Sequence, residues 1–226
     1  MNAPAPVAKG RFITFEGGEG VGKSTQIARL AEHLRANGFE VVMTREPGGT
    51  PHAEQLREVL LSGRFAGLGA LAEAALFAAA RIDHVDRLIA PALARGAFVL
   101  CDRFMDSTRA YQGARGGVDP AAVALLERAA IGAARPDLTL ILDLPPAEGL
   151  ARAASRRNHG EQPDRFEAEA DAFHDGLRQA FLDIVAHEPE RCSVIDAGRG
   201  VEEVARDIRR IVDGRFLDGA NRVAAQ

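Results

Sequence analysis

Gly17-Gly18-Glu19-Gly20-Val21-Gly22-Lys23-Ser24 is the segment that most restricts what this chain can become. Its G-x-x-x-x-G-K-[ST] spacing lets successive backbone N–H groups curl around phosphate oxygens, with the Lys23 ammonium beside the outer phosphates and the Ser24 hydroxyl offered to Mg²⁺. Of 28 Lys and Arg residues only two are lysines, Lys9 and Lys23, and one of them stands here. The flanks agree with the motif. Arg11-Phe12-Ile13-Thr14-Phe15 reads as a buried strand entering the glycines, and from Ser24 onward Ile27, Leu30, Ala31 and Leu34 recur at helical spacing, with Gly38 just past the end. Strand, glycine loop and helix is the setting a phosphate-binding loop needs. The predicted contacts run from Gly17 through Thr25.

Composition removes several classes. A chain of 226 residues with 46% hydrophobic content can bury one large core, or a core with a small appendage. Its net charge of −4, without a long basic run, argues against a nucleic-acid polymer as partner. Cys101 and Cys192 share no metal-ligand spacing and read as buried thiols in a reducing cytoplasm. The longest apolar stretch, near 71–80, contains Glu73 and is too short to span a membrane. Residues 1–10 lack a hydrophobic signal core and read as a loose tail.

Strands alternate with helices along the rest of the chain. Strands are predicted over 40–44, 97–101, 138–142 and 193–195, and helices over 55–61, 69–93 (with Pro91 as a possible interruption), 147–155, 166–187 and 201–212. Asp119-Pro120 reads as an N-cap and first-turn proline opening a helix to Ala134. Alternation of this kind implies an α/β fold, a parallel sheet of five strands wrapped by helices, with ligands at the carboxyl ends of the strands. The expected organisation is a P-loop kinase domain over 11–213, a small lid near 152–167, and a C-terminal tail over 214–226.

Charged residues fall where such a sheet presents them. The second strand runs into Thr44-Arg45-Glu46-Pro47-Gly48-Gly49-Thr50, and the third delivers Asp102-Arg103 at the end of an apolar run, where a carboxylate can serve Mg²⁺ and its waters. With Phe15-Glu16-Gly17, the run from Phe77 to Arg81, Ser107 with Ala110-Tyr111-Gln112-Gly113, and Arg135-Pro136-Asp137-Leu138-Thr139, these segments resemble the thymidylate kinase family over nearly the whole stretch 11–212.

The resemblance implies phosphoryl transfer from MgATP to dTMP by a homodimer. It implies that Arg45 and Arg103 grip the monophosphate, that Phe77 stacks on thymine, and that Arg81 hydrogen-bonds the base with Gln112 nearby. Glu19 would face the sugar 3′-hydroxyl, Tyr111 would fill the space a ribose 2′-hydroxyl needs, and Ser107 belongs to the same substrate group. Ser24 and Asp102 would serve the metal. Without the resemblance Phe77 reads first as a core aromatic, although its alanine neighbours leave room for a flat ligand beside the ring, and Arg81 lies one helical turn away on the same face.

Charge then sets the expected mechanism. ATP and a nucleoside monophosphate together carry about six negative charges. The acceptor oxygen is already largely deprotonated at neutral pH, so alignment and cations suffice: Lys23 across the phosphates, Arg45 and Arg103 on the acceptor. The P-loop holds no arginine, so a lid arginine is expected to meet the charge that develops in transfer; Arg165, Arg156 and Arg157 lead, with Arg152 behind them. Another nucleoside monophosphate kinase or a deoxynucleoside kinase remains the alternative, and beyond those a P-loop regulatory ATPase, which would have no use for two acceptor-side arginines.

Overall fold

A computed structural model describes residues 10–63, 66–156 and 165–217. Its centre is a five-stranded, all-parallel sheet in the order β2-β3-β1-β4-β5, built from β1 (Arg11–Glu16), β2 (Val41–Arg45), β3 (Phe98–Asp102), β4 (Leu138–Asp143) and β5 (Cys192–Asp196). The expected α/β architecture is therefore the one observed. β1 lies between β3 and β4, and every residue on it after Arg11 is buried, with Phe12, Ile13 and Phe15 as its apolar members, as suits a central strand covered on both faces. Phe12 and Phe15 have no exposed surface, and burying each contributes roughly 1.5–3 kcal/mol.

Pleating sends alternate residues to two cores. Ile13 and Phe15 join Leu100, Leu140 and Leu142 against α1 (Lys23–Ala36) and the later α9 (Val201–Val212). Phe12, Val99 and Cys101 pack on the opposite face with Ile89, Ala92, Phe104 and Met105. On that face Thr14 and Thr139 share a 2.7 Å hydrogen bond, an internal polar link that is satisfied rather than buried alone.

Helices and strands fall close to the predicted spans, with α2 (Pro51–Leu61), α6 (Pro120–Ile131) and α7 (Pro146–Arg156) among them. Thr50 and Asp119 cap α2 and α6 with side-chain oxygens. Four features differ from expectation. The long helix over 69–93 is divided into α3 (Ala70–His84), a π-helical turn at Val85–Ile89 and α4 (Ala90–Ala94), so the interruption precedes Pro91, which sits in the first turn of α4. The helix predicted over 166–187 begins later, as α8 (Asp171–His187), because Phe166 is drawn into a turn against Tyr111 and Phe77. A helical stretch that periodicity did not reveal, α5 (Met105–Thr108) and a π-helical turn at Arg109–Arg115, follows β3. Ordered chain also continues past 213: the π-helical turn Asp213–Leu217 seats Phe216 and Leu217 on the core.

The register brings the strand ends level. Arg45 pairs with Asp102, and Phe15 pairs with Asp102 from the other side, so the P-loop leaves the sheet beside both.

Candidate active site

The loop after β1 turns at glycines with positive φ, a backbone that other residues adopt only under strain. Gly17 has φ 128°, and a Cβ there would strike the carbonyl oxygen of Leu142; Gly22, at φ 96°, is the N-cap of α1. The first turn of α1 therefore directs unpaired N–H groups into the loop, an arrangement suited to anionic oxygens. Lys23 is buried, and its ammonium donates to the carbonyl oxygens of Gly18 at 2.9 Å and Gly17 at 3.4 Å. Burial, followed by the nearby Arg103, pushes the Lys23 pKa down from its ordinary value.

Ser24 Oγ donates to Asp102 Oδ2 at 2.9 Å. Hydroxyl and carboxylate are hard oxygen donors, and the pair stands beside the phosphate loop, so these two predicted residues fit Mg²⁺.

Arg103 crosses from the end of β3 to the P-loop. Its Nη1 donates to Gly17 O at 3.0 Å and Ser107 Oγ at 3.3 Å, and its Nη2 to Glu19 Oε1 at 2.6 Å. Tyr111 donates to the same Glu19 oxygen at 2.9 Å, and the Arg103 guanidinium lies 5.2 Å from the Tyr111 ring centre. Burial raises the Glu19 carboxyl, but Arg103 and Lys23 outweigh it and hold the pKa at about 2. Burial carries the Tyr111 phenol well above its ordinary value. Glu19 is thus an anion and Tyr111 a neutral donor across the physiological range.

Arg81, predicted to meet a base, is 3% exposed and held on three sides: Nε to Glu46 at 2.7 Å, Nη1 to Thr108 at 3.2 Å, Nη2 to Phe104 O at 3.1 Å. Glu46 is itself shared with His84 Nδ1 at 2.9 Å. Gln112 Nε2 donates to the buried Glu73 at 2.9 Å. A carboxylate only accepts, so the Gln112 amide nitrogen must face it. Phe77 is half-buried, 6.4 Å from the Phe166 ring.

Glu19, Glu46, Asp102, Arg103 and Tyr111 line one cleft of about 280 Å³, which runs from Gly20, Val21, Gly22, Lys23 and Ser24 at one end to Phe77, Arg81 and Gln112 at the other. Ser107 and Arg45 line it too, and Arg45 donates to Glu54 at 3.1 Å from an exposed position. Gly17 and Gly18 shape the back of the loop against β4 and α8, and Thr25 is exposed on α1.

The arginines expected in a lid divide. Arg156 lines the cleft at the end of α7. Arg165 is turned away from the loop and ion-pairs with Glu73 on α3. Arg152 donates to Ala197 O at 3.1 Å, beyond β5. Arg157 lies outside the described residues.

Sequence reasoning passed over Glu16, Glu46 and Glu73, buried carboxylates that hold Ser107, Arg81 and Gln112 respectively. The available signal was a charged residue closing or interrupting an apolar run, which is costly unless it is paired.

A glycine loop for donor phosphates and a set of cations facing it across one cleft serve phosphoryl transfer, and the chain is a phosphotransferase of the P-loop class. The sequence profile described as thymidylate kinase matches residues 15–208. Proteins called thymidylate kinase from Bradyrhizobium sp. (strain ORS 278) and Rhodopseudomonas palustris (strain TIE-1) are each 58% identical to it, over 92% of both chains in the first case and 94% of this chain and 92% of the relative in the second. A crystal structure of thymidylate kinase from Ehrlichia chaffeensis is similar with a TM-score of 0.72 and 34% identity, covering 90% of this chain and 99% of that one. The chain belongs to the thymidylate kinase family, enzymes of phosphoryl transfer from ATP to dTMP. Among the described residues no helix is long and apolar enough to cross a membrane.

Proposed function

We propose that this site makes dTDP and ADP from dTMP and MgATP by alignment and charge neutralisation, with ATP phosphates in the P-loop and dTMP across the cleft. The observation that carries the reading is the single cleft lined both by the P-loop and by Arg45, Phe77, Arg81, Arg103, Tyr111 and Gln112. Donor and acceptor enter one space, and positioning of this kind can supply about 7–11 kcal/mol of the barrier.

In this reading Gly17 to Thr25 cradle the donor phosphates and Lys23 exchanges its two carbonyl partners for phosphate oxygens. Ser24 and Asp102 would hold Mg²⁺, which when bound would supply positive charge to offset that of the phosphates. Arg103 and Arg45 take the acceptor phosphate, with Ser107 beside Arg103. Phe77 stacks on the base while Arg81 and Gln112 meet its polar edge, and stacking of a base on an aromatic ring is worth roughly 1–3 kcal/mol. Glu19 receives the 3′-hydroxyl, and Tyr111, fixed to Glu19, occupies the place of a 2′-hydroxyl. Arg156 and Arg165 supply the arginine that the P-loop lacks; for Arg165 this means giving up Glu73. The same role for Arg157 rests on sequence alone.

Two broader assignments accompany it. Leu71 and Ile82 on α3 are 55% and 42% exposed, which supports a homodimer packed along that helix. Free Cys101 and Cys192 support a cytoplasmic enzyme.

The test supplies dTMP, dUMP, CMP, UMP and thymidine singly with MgATP and follows ADP release. Release that depends on dTMP, and is lost in a folded Lys23→Ala protein, is expected. Release without any acceptor would instead mark a regulatory ATPase.

A further inference from the structure

Glu16 is the last residue of β1, fully buried, and none of the chemistry above uses it. Both of its oxygens are spent on one short stretch of chain. Oε1 accepts the Phe104 N–H at 2.7 Å and the Ser107 N–H at 3.2 Å, and Oε2 accepts the Ser107 hydroxyl at 2.6 Å. That stretch begins at Arg103, the one non-glycine with positive φ among the described residues, at 65°. Left-handed backbone at such a residue persists only where the surroundings over-determine it. Here the Arg103 N–H is bound to Phe15 O at 2.9 Å and the next N–H to Glu16. The Ser107 hydroxyl, its hydrogen directed at Glu16, turns a lone pair to Arg103 Nη1 at 3.3 Å.

We propose that Glu16 is a positioning residue for Arg103: it holds the 103–107 turn and orients Ser107 so that the guanidinium stays aimed at the P-loop. The proposal rests on the reading of Arg103 as a ligand of the acceptor phosphate.

The three donors require an ionised Glu16. A proton on Oε2 would turn the Ser107 hydrogen toward Arg103, itself a donor, and loosen the arginine. Glu16 is faced by Asp106 of α5, Arg103 after β3, Lys23 of α1, Cys101 of β3 and Tyr111 of the following π-helical turn. Burial, and then the Asp106 charge, push its carboxyl up to about 7. Gln at this position carries a permanent N–H₂ donor and resembles the protonated state.

The experiment measures kcat/KM for dTMP in the wild-type and Glu16→Gln enzymes between about pH 6 and pH 8, with KM for ATP beside it. Ionisation of dTMP itself cancels in the ratio of the two enzymes. At about pH 8 the wild type should exceed Glu16→Gln by roughly tenfold to a hundredfold, the worth of one charge-assisted hydrogen bond, through KM for dTMP and with little change for ATP. The ratio should shrink toward unity at about pH 6. A ratio near unity throughout, a ratio independent of pH, or equal increases in KM for ATP and dTMP would overturn the proposal. Ser107→Ala, which keeps the carboxylate and removes the relayed hydrogen bond, should show part of the same dTMP defect if Glu16→Gln folds poorly. Arg103→Ala separates the two levels: if it leaves KM for dTMP unchanged the acceptor reading fails, whereas a loss in Arg103→Ala with none in Glu16→Gln sinks only the role of Glu16.

Discussion

Ser24 Oγ and Asp102 Oδ2, 78 positions apart in the chain, meet at 2.9 Å beside the phosphate loop. One comes from the first turn of α1 and the other from the end of β3, and parallel pairing of β1 with β3 brings them together. If the pair serves Mg²⁺, Asp102→Asn should raise the concentration of Mg²⁺ needed for half-maximal rate about tenfold or more, since a carboxylate ligand is lost. Titration of rate against Mg²⁺ at fixed ATP checks this. An unchanged requirement would reduce the contact to an internal hydrogen bond.

The Phe77 and Arg81 end of the cleft makes a different demand. Arg81→Ala and Phe77→Ala should each raise KM for dTMP strongly while KM for ATP changes little. Arg81→Ala should also destabilise the protein by about 3–5 kcal/mol, because Glu46 would be left buried with only His84 beside it. Denaturation of both variants alongside kinetics divides the two effects: Phe77→Ala with lower stability and an unaltered KM for dTMP would make the ring a core residue.

Arg165 and Arg156 face a test in kcat. Removing a preorganised cation aimed at developing charge costs roughly 10²–10³ in rate, so at least one of Arg165→Ala and Arg156→Ala should lose that much with KM for dTMP nearly constant. Glu73→Gln breaks the ion pair with Arg165 without removing the arginine. Were Glu73→Gln to reproduce the full Arg165→Ala loss, the arginine would be acting only as the partner of Glu73.

Glu16 also links folding to pH. Its carboxyl titrates at about 7 in the folded chain, above its ordinary 4.5, so the folded state keeps a proton that the unfolded state releases. The corresponding stability is fully present below about pH 4.5 and is lost as pH rises to about 7, by on the order of 3 kcal/mol. Gln cannot titrate. The melting temperature of Glu16→Gln relative to the wild type should therefore rise between about pH 5 and pH 8, and parallel profiles for the two proteins would contradict the shift.

What the sequence alone determined is local. The turn over 17–22 is contiguous chain whose glycines dictate their own backbone, and the strand before it and helix after it declare themselves by period. Caps at Thr50 and Asp119 act within three residues of themselves. Motif wording extended this reach to Arg45, Arg81, Arg103, Tyr111 and Gln112 as members of a site, but not to what holds them. Tertiary structure decided that Arg103 and Tyr111 converge on Glu19 across 84 and 92 positions, that Glu73 takes both Gln112 and Arg165, and that Glu16 grips a turn 88 to 91 residues away. It also decided where the helix at Asp171 begins, with Phe166 packed edge-on against Tyr111 in the turn before it. The division follows from physics: backbone preference and amphipathic period are properties of neighbouring residues, whereas a buried carboxylate is stable only beside donors that folding brings to it from elsewhere in the chain.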